Sequence, residues 1–263
     1  MIMNIKGINV ELAGDKSKRQ IIFIHGFPFD MSMWQNQFDK LSENYCCIRY
    51  DVRGLGSSFV GDGQYTMEAY VSDLFMIMEE LNLDKPVVCG LSMGGYIALR
   101  ALERDESKFS GAILMDTKPQ ADDDAGKLKR AEAINKINVE GLDKFVEEFV
   151  PNTFAPETIK ENEELYNSVI QKAKQHDPTG VKGALLAMVS RTSTTGYLER
   201  CKLPVLSIVG NLDKLTPPQV MREFTQQIKN SDFAIAPRCG HLPPLENPGF
   251  VNDMIEGFLK KIN

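Results

Sequence analysis

The chain has 263 residues, of which 43% are hydrophobic and 25% are charged. This composition is typical of a globular protein and excludes a collagen, a coiled coil or a largely disordered chain. There are 30 Lys and Arg against 36 Asp and Glu, which gives a net charge of −6, and the basic residues are scattered rather than clustered. Nucleic acid is therefore not an expected partner.

The sequence also argues against a membrane or secreted protein. No apolar stretch approaches the roughly 18 residues that a membrane span needs. Residues 1–10 lack the basic and apolar regions of a secretory signal, so we expect a cytoplasmic protein. The cysteines are odd in number and lack metal-type spacing, which predicts reduced, buried thiols. They are Cys46, Cys47, Cys89, Cys201 and Cys239.

Short apolar runs alternate with longer helical patterns along the chain, which predicts an α/β fold with a mostly parallel sheet and helices on both faces. After a hairpin-like stretch over 4–12, the predicted strands are 21–24, 46–50, 87–90, 112–115, 205–209 and 233–236. Most are continuously apolar, as expected where both sheet faces are covered. Thr66 is a predicted helix cap, and apolar residues follow it at alternating steps of four and three.

Residues 117–196 interrupt the alternation. They contain no convincing strand but have helical patterns near 125–137, 142–150, 156–173 and 181–189. We interpret the stretch as an inserted helical lid, which divides the core into residues 1–116 and 197–263. The alternative is a set of surface helices with no role at a site. Three consecutive aspartates at 122–124 favour helix capping over a metal site.

A catalytic nucleophile is predicted at Ser92. Residues 90–94 read Gly-Leu-Ser-Met-Gly, between a predicted strand and a predicted helix. This is the context in which a sharp strand-to-helix turn holds a serine hydroxyl outward, and the flanking glycines let the backbones pass closely.

A serine hydroxyl needs a base, and the chain offers three histidines. His241 lies in a loop rich in Gly and Pro after the last predicted strand, where open α/β sheets place their sites. His25 ends the first central strand, and we expect its ring to hydrogen-bond to loop backbone. Nothing in the sequence brings His176 near Ser92. His241 is therefore the predicted base.

The acid that orients this imidazole is predicted to be Asp213, which follows strand 205–209. It fits the chain order serine, acid, histidine that this type of turn requires. Asp116, at the end of the preceding strand, remains a rival for the same role. An ordinary turn aspartate is the structural alternative for Asp213.

Two backbone N–H groups are the predicted donors to the oxyanion of acyl transfer. One belongs to Met93, directly after the nucleophile, and the other to Phe27, in the loop after the first central strand.

The chain resembles the α/β-hydrolase superfamily in several motifs. They are residues 21–28 (IIFIHGFP), Trp34, residues 51–58 (DVRGLGSS), residues 90–95 (GLSMGG), and the stretches 210–217 and 239–248. Within the superfamily it is similar to small esterases, enol-lactonases and related serine hydrolases, and residues 116–122 resemble the lid entrance of the lactonase-like group. The resemblance implies Ser92 as nucleophile, Asp213 as acid and His241 as base. It also implies Phe27 and Met93 as oxyanion donors. Serine at the turn departs from the haloalkane dehalogenase and epoxide hydrolase branches, which carry aspartate there.

These features predict a serine hydrolase that cleaves a carboxylic ester or lactone through an acyl-enzyme, with water as second substrate and without metal or organic cofactor. The expected acyl group is moderately small and apolar. Apolar residues are expected to form the substrate pocket, and they are Phe27, Phe29, Met93, Leu185 and Met188. If the substrate bears a carboxylate, Arg53 and Arg191 are the cations we nominate.

Other functions are compatible with the same residues. A carbon–carbon bond hydrolase or a perhydrolase would use the same nucleophile, acid and base. A ligand-sensing signalling protein that retains them would turn over slowly and dock its lid onto a partner. The sequence does not specify the substrate, the oligomeric state or the pathway.

Overall fold

The computed structural model of the chain describes residues 1–262 and is built around a sheet of eight strands. The strands are β1 (Ile2–Ile5), β2 (Ile8–Ala13), β3 (Gln20–Ile24), β4 (Cys46–Tyr50), β5 (Val87–Leu91), β6 (Gly111–Met115), β7 (Val205–Gly210) and β8 (Ser231–Ala236). Their order in the sheet is β1-β2-β4-β3-β5-β6-β7-β8. The β1/β2 and β2/β4 pairs are antiparallel, and the strands from β4 to β8 pair in parallel.

Twelve α-helices occur among the described residues, and three short 3-10 turns accompany them. The helices are α1 (Gln35–Leu41), α2 (Met67–Glu80), α3 (Met93–Asp105), α4 (Asp124–Glu140), α5 (Leu142–Phe149), α6 (Pro156–Glu161), α7 (Glu163–Lys174), α8 (Pro178–Ser190), α9 (Thr195–Leu198), α10 (Pro218–Thr225), α11 (Pro243–Glu246) and α12 (Pro248–Lys261). As predicted, the Thr66 side chain caps α2, accepting a 3.2 Å hydrogen bond from the Ala69 amide.

The predicted fold class is confirmed. The six core strands have the expected positions, with ends that differ by no more than two residues, and the hairpin over residues 4–12 is the β1/β2 pair. Every residue of β4, β5, β6 and β7 is buried. Helices cover both faces of these strands, which explains why their sequences are apolar without alternation.

The segment between β6 and β7, called here the β6–β7 segment, folds into α4 to α9 and contains no strand in the described chain. One of its predicted helices is wrong: residues 156–173 form two helices, α6 and α7. The backbone of Asn162 leaves the helical region (φ −137°, ψ 65°), and its side chain caps α7 by accepting from the Leu165 amide at 3.1 Å. Such a local side-chain bond competes with helix continuation.

The carboxyl ends of the parallel strands lie on the same side of the sheet. The loops that follow them therefore lie close together, and they carry Ser92, Asp116, Asp213 and His241. Among residues 1–262, no helix is both long enough and apolar enough to cross a bilayer.

Candidate active site

Ser92 lies on a strained turn between β5 and α3. Its φ of 52° and ψ of −113° fall where a residue with a side chain rarely lies and where strain amounts to about 1–3 kcal/mol. A Cβ added to Gly90 would overlap the backbone of Gly94, and one added to Gly94 would overlap the carbonyl of Ile24. The two glycines are therefore required by close backbone approach, as the sequence predicts.

His241 and Asp213 form a buried hydrogen-bonded pair. The distance from His241 Nδ1 to Asp213 Oδ2 is 2.8 Å. Asp213 also accepts from the Leu215 amide at 2.8 Å and the Thr216 hydroxyl at 2.6 Å. Burial alone would raise the pKa of Asp213, but the His241 ring and these hydrogen bonds outweigh it and lower that pKa. The carboxylate is thus held ionised beside the imidazole.

Glu246 fixes the loop around His241, and the sequence analysis did not identify it. Its Oε1 accepts hydrogen bonds from the amides of Gly240 at 2.8 Å and Leu242 at 3.2 Å, the two neighbours of the histidine. Its Oε2 accepts from the Ala155 amide at 2.7 Å, in the β6–β7 segment. Glu246 therefore ties the histidine loop to that segment. The signal in the sequence is one acidic residue five positions after the histidine, which is too common to be diagnostic.

Asp116, the rival acid, lies beside the pair but is bonded differently. Its φ is 45°, its Oδ1 accepts from the Gly210 amide at 2.9 Å, and its Oδ2 has no partner among the described residues. Burial raises the pKa of Asp116 well above its usual value, and the charge of Asp213 raises it further. The geometry therefore leaves the imidazole contact to Asp213 and makes Asp116 a neutral neighbour.

Among residues 1–262, one group has the spacing of three metal ligands, namely Asp116, Asp213 and His241, whose donor atoms lie within 4.8 Å of one another. Nδ1 of His241 is already hydrogen-bonded to Asp213 Oδ2 at 2.8 Å. With Asp116 neutral as well, this donor set suits an acid–base pair better than a cation.

His25 has the scaffold role that the sequence predicts. Its Nε2 accepts from the Val52 amide at 2.8 Å, which requires the proton on Nδ1, and Nδ1 lies 2.9 Å from the Gly26 carbonyl oxygen. Burial lowers the pKa of His25, in keeping with this neutral ring.

The amides of Phe27 and Met93 are free to bind an incoming group. Neither donates a hydrogen bond to any protein atom in the part of the chain that the structure describes. Met93 is the first residue of α3, so its amide is one of the unpaired donors at a helix N-terminus.

Ser92 and His241 line one cavity of about 330 Å³. Phe27, Leu185 and Met188, three of the five predicted pocket residues, line it too. The wall also includes Phe145 and Phe149, which stack on each other with ring centroids 5.4 Å apart.

The structure places the other two predicted pocket residues elsewhere. The Phe29 amide donates to the Gly26 carbonyl at 3.0 Å in a tight turn, and Phe29 lines a neighbouring groove beside α7. The Met93 side chain is fully buried in the core, and Met93 does not line the cavity. The prediction that these side chains line the pocket is therefore corrected.

Neither nominated cation lines the cavity. Arg53 is paired with Asp73, with Nε 2.8 Å from Oδ2. Arg191 is buried, its Nη2 lies 2.9 Å from Asp122 Oδ1, and its guanidinium stacks on the Tyr96 ring. Sequence alone could not foresee these partners, which come from distant parts of the chain.

Comparison with known proteins assigns the chain to a family. A family model described as the alpha/beta hydrolase fold matches residues 20–248, and the chain belongs to this family. Among curated relatives, it is 27% identical to a 3-oxoadipate enol-lactonase of Acinetobacter baylyi, over 100% of this chain and 97% of the relative. Among solved structures, it is similar to a thermophilic esterase from Thermogutta terrifontis, with 32% identity, a TM-score of 0.94 and coverage of 100% and 99%. An enol-lactonase from Burkholderia xenovorans shares the fold, at 22% identity, a TM-score of 0.90 and coverage of 99% and 100%. The resemblance seen in the motifs is thus confirmed.

Proposed function

We propose that the chain is a serine hydrolase that cleaves a carboxylic ester or a lactone through an acyl-enzyme. The observation that carries the proposal is the 2.8 Å bond between His241 and Asp213, at a cavity that Ser92 also lines from its strained turn. Relatives named enol-lactonase and esterase support this reaction class.

In the proposed mechanism, the Ser92 hydroxyl attacks the substrate carbonyl while His241 Nε2 takes its proton. The tetrahedral intermediate collapses, the carbon–oxygen bond breaks, and the histidine gives the proton to the leaving alkoxide. Water then attacks the acyl-enzyme with the same histidine as base, which releases the acid and restores Ser92. Asp213 holds the proton of the imidazole on Nδ1 and stabilises the imidazolium.

The amides of Phe27 and Met93 are the proposed donors to the oxyanion. Their lack of protein partners and the position of Met93 at the start of α3 support this role. Removing one such donor typically costs about 2.7–4 kcal/mol of transition-state stabilisation.

We assign residues 117–196 the role of a lid over a core made of residues 1–116 and 197–263. Support comes from the cavity wall, to which this stretch contributes Phe145, Phe149, Leu185 and Met188. An apolar cover of this kind excludes water and strengthens the electrostatic interactions beneath it.

The test compares wild type with Ser92→Ala on p-nitrophenyl esters and simple lactones, and measures covalent labelling by a fluorophosphonate. We expect hydrolysis to fall at least about 10³-fold, and the label to be found by mass spectrometry on the peptide containing Ser92. Ser168→Ala, which removes an exposed hydroxyl on α7, is the matched control and should retain both. Turnover that survives Ser92→Ala would refute the proposal.

A further inference from the structure

One face of α4 points into the cavity. Gly126, Lys129, Arg130 and Ala133 all line it, and they are spaced at i, i+3, i+4 and i+7, which places them on the same side of a helix. Lys127 is not among the lining residues. Like Lys129 it is exposed, but its Nζ lies 3.7 Å from Asp124 Oδ1. Two cationic residues of α4 thus border the cavity that Ser92 also lines.

Positive charge exceeds negative charge in this wall. Lys118, Lys129 and Arg130 line the cavity together with a single carboxylate, that of Asp122. Asp122 is already shared, since it pairs with Arg130, lies 2.9 Å from Arg191 and is 3.7 Å from Lys118. Despite burial, which acts in the opposite direction, hydrogen bonds from the two arginines lower the pKa of Asp122 to about 2.

Lys129 has no carboxylate partner among residues 1–262. No ion pair links it to any acidic group in the described part of the chain. Lys129 lines the cavity and is exposed, so its charge is open to a ligand and is not compensated by a carboxylate of the described chain, in a protein whose net charge is −6. A cleft lined by one sign of charge beside apolar walls concentrates ligands of the opposite sign.

We propose that Lys129 and Arg130, with Lys118 beside them, form a carboxylate subsite, and that the substrate is an ester or lactone bearing a free carboxylate. The inference rests on the proposed function. The reacting carbonyl would meet Ser92, an apolar spacer would contact the aromatic wall of Phe27 and Phe149, and the carboxylate would reach the cations of α4.

Kinetics test the subsite through paired substrates. Monoethyl glutarate and monoethyl adipate carry the carboxylate on the acyl side, 4-acetoxybutyrate carries it on the alcohol side, and ethyl pentanoate is neutral. We expect wild type to prefer at least one carboxylate ester over the neutral ester by tenfold or more in kcat/KM. The preferred ester identifies the side on which the carboxylate lies. Equal or better turnover of the neutral ester would overturn the proposal.

Substitution then assigns the preference to Lys129. Lys129→Gln is expected to reduce the ratio of kcat/KM between carboxylate and neutral esters about tenfold, mainly through KM, and Lys129→Glu is expected to reduce it further. Lys127→Gln removes the same charge from the same helix outside the cavity and should keep the wild-type ratio. An equal loss in both variants would mean a general charge effect and not a subsite.

Because Arg130 supports Asp122, Arg130→Met can disturb the fold. Arg130→Lys, which retains the charge, is the paired variant. The subsite requires Arg130→Lys to keep more of the carboxylate preference than Arg130→Met at comparable thermal stability.

A binding measurement separates this proposal from the proposed function. Glutarate and adipate cannot be hydrolysed, so their calorimetric titration into wild type and Lys129→Gln reports the subsite alone. Binding weakened about tenfold by Lys129→Gln but not by Lys127→Gln supports the subsite even if no ester is turned over. Absence of binding together with turnover of neutral esters dependent on Ser92 would overturn the subsite and leave the hydrolase intact.

Discussion

At the residue scale, the structure makes a clear distinction between two neighbouring aspartates. Asp213 contacts His241 at 2.8 Å, whereas Asp116 accepts from the Gly210 amide and is kept neutral by burial. Asp213→Asn is therefore expected to lower kcat by about 10³ to 10⁴, because the amide favours the wrong imidazole tautomer. Asp116→Asn replaces a neutral acid by a neutral group of the same shape and should change kcat by less than about fivefold. Steady-state kinetics of the two variants on one activated ester measure these losses in kcat. A larger loss in Asp116→Asn than in Asp213→Asn would identify Asp116 as the acid.

The same variant tests the protonation state of Asp116 through stability. The unfolded Asp116 ionises near pH 3.9, but its pKa is raised in the folded protein. Between about pH 4 and its folded pKa, Asp116 therefore binds more protons in the folded than in the unfolded state, and its contribution to the free energy of unfolding falls as pH rises. Asn does not titrate, so the stability of Asp116→Asn relative to wild type should increase from pH 5 to pH 9. Urea unfolding at three pH values measures this difference, in which the other titrating groups cancel. A difference that stays constant with pH would contradict a neutral Asp116.

The candidate site was only partly predictable from the sequence, for reasons that differ between residues. Ser92 is marked by local pattern alone, because the close approach of backbones at Gly90 and Gly94 needs glycine at fixed spacing. Local pattern cannot decide between Asp116 and Asp213, since both follow strands at the same sheet edge. Lys129 was missed because a helical pattern gives a face but not the direction in which tertiary packing turns it.

At the element scale, the strands were easier to predict than the helices. A parallel strand covered on both faces must be apolar throughout, and β4 is bounded as the sequence suggests. The break between α6 and α7 depends on one capping side chain, Asn162, within an otherwise helical composition. The helical periodicity of a sequence does not reveal where a side-chain hydrogen bond to the backbone competes with continuation of the helix.

The contact between α8 and the loop after β4 gives a prediction about the proposed lid. A Cβ on Gly180 would overlap the backbone of Gly54, which cannot move aside as a flexible side chain would. Gly180→Ala should therefore destabilise the protein by about 1–3 kcal/mol, and it should raise amide exchange in α8. The control is Gly257→Ala in α12, where a Cβ meets nothing within 4 Å and helix propensity predicts a gain of up to about 1 kcal/mol. Urea unfolding with hydrogen exchange makes the comparison. If Gly180→Ala were as stable as the control, the proposed lid would not be held by this contact.

At the scale of the whole molecule, the sheet explains how residues far apart in the sequence reach one cavity. Parallel strands in the order β3-β5-β6-β7-β8 release their following loops at the same edge. Ser92, Asp213 and His241 therefore depend on a single cooperative core, and their arrangement should be lost only when that core opens. The buried cysteines offer a direct way to observe that opening.

All five cysteines are buried and none is bonded to another. Cys47 and Cys89 lie on the two strands that flank β3, and Cys239 lies two residues before His241. Burial raises the pKa of Cys239 to about 12, so its thiol lacks both exposure and thiolate character at pH 8. We expect the native protein to react with a thiol reagent at all five positions at one slow rate, equal to the rate of global opening. Mass spectrometry of quenched samples, with a urea-unfolded control that labels within seconds, follows each site. Faster labelling of Cys239 than of Cys47 and Cys89 would instead show that the histidine loop opens by itself, and that the proposed active site is less stable than the sheet that carries it.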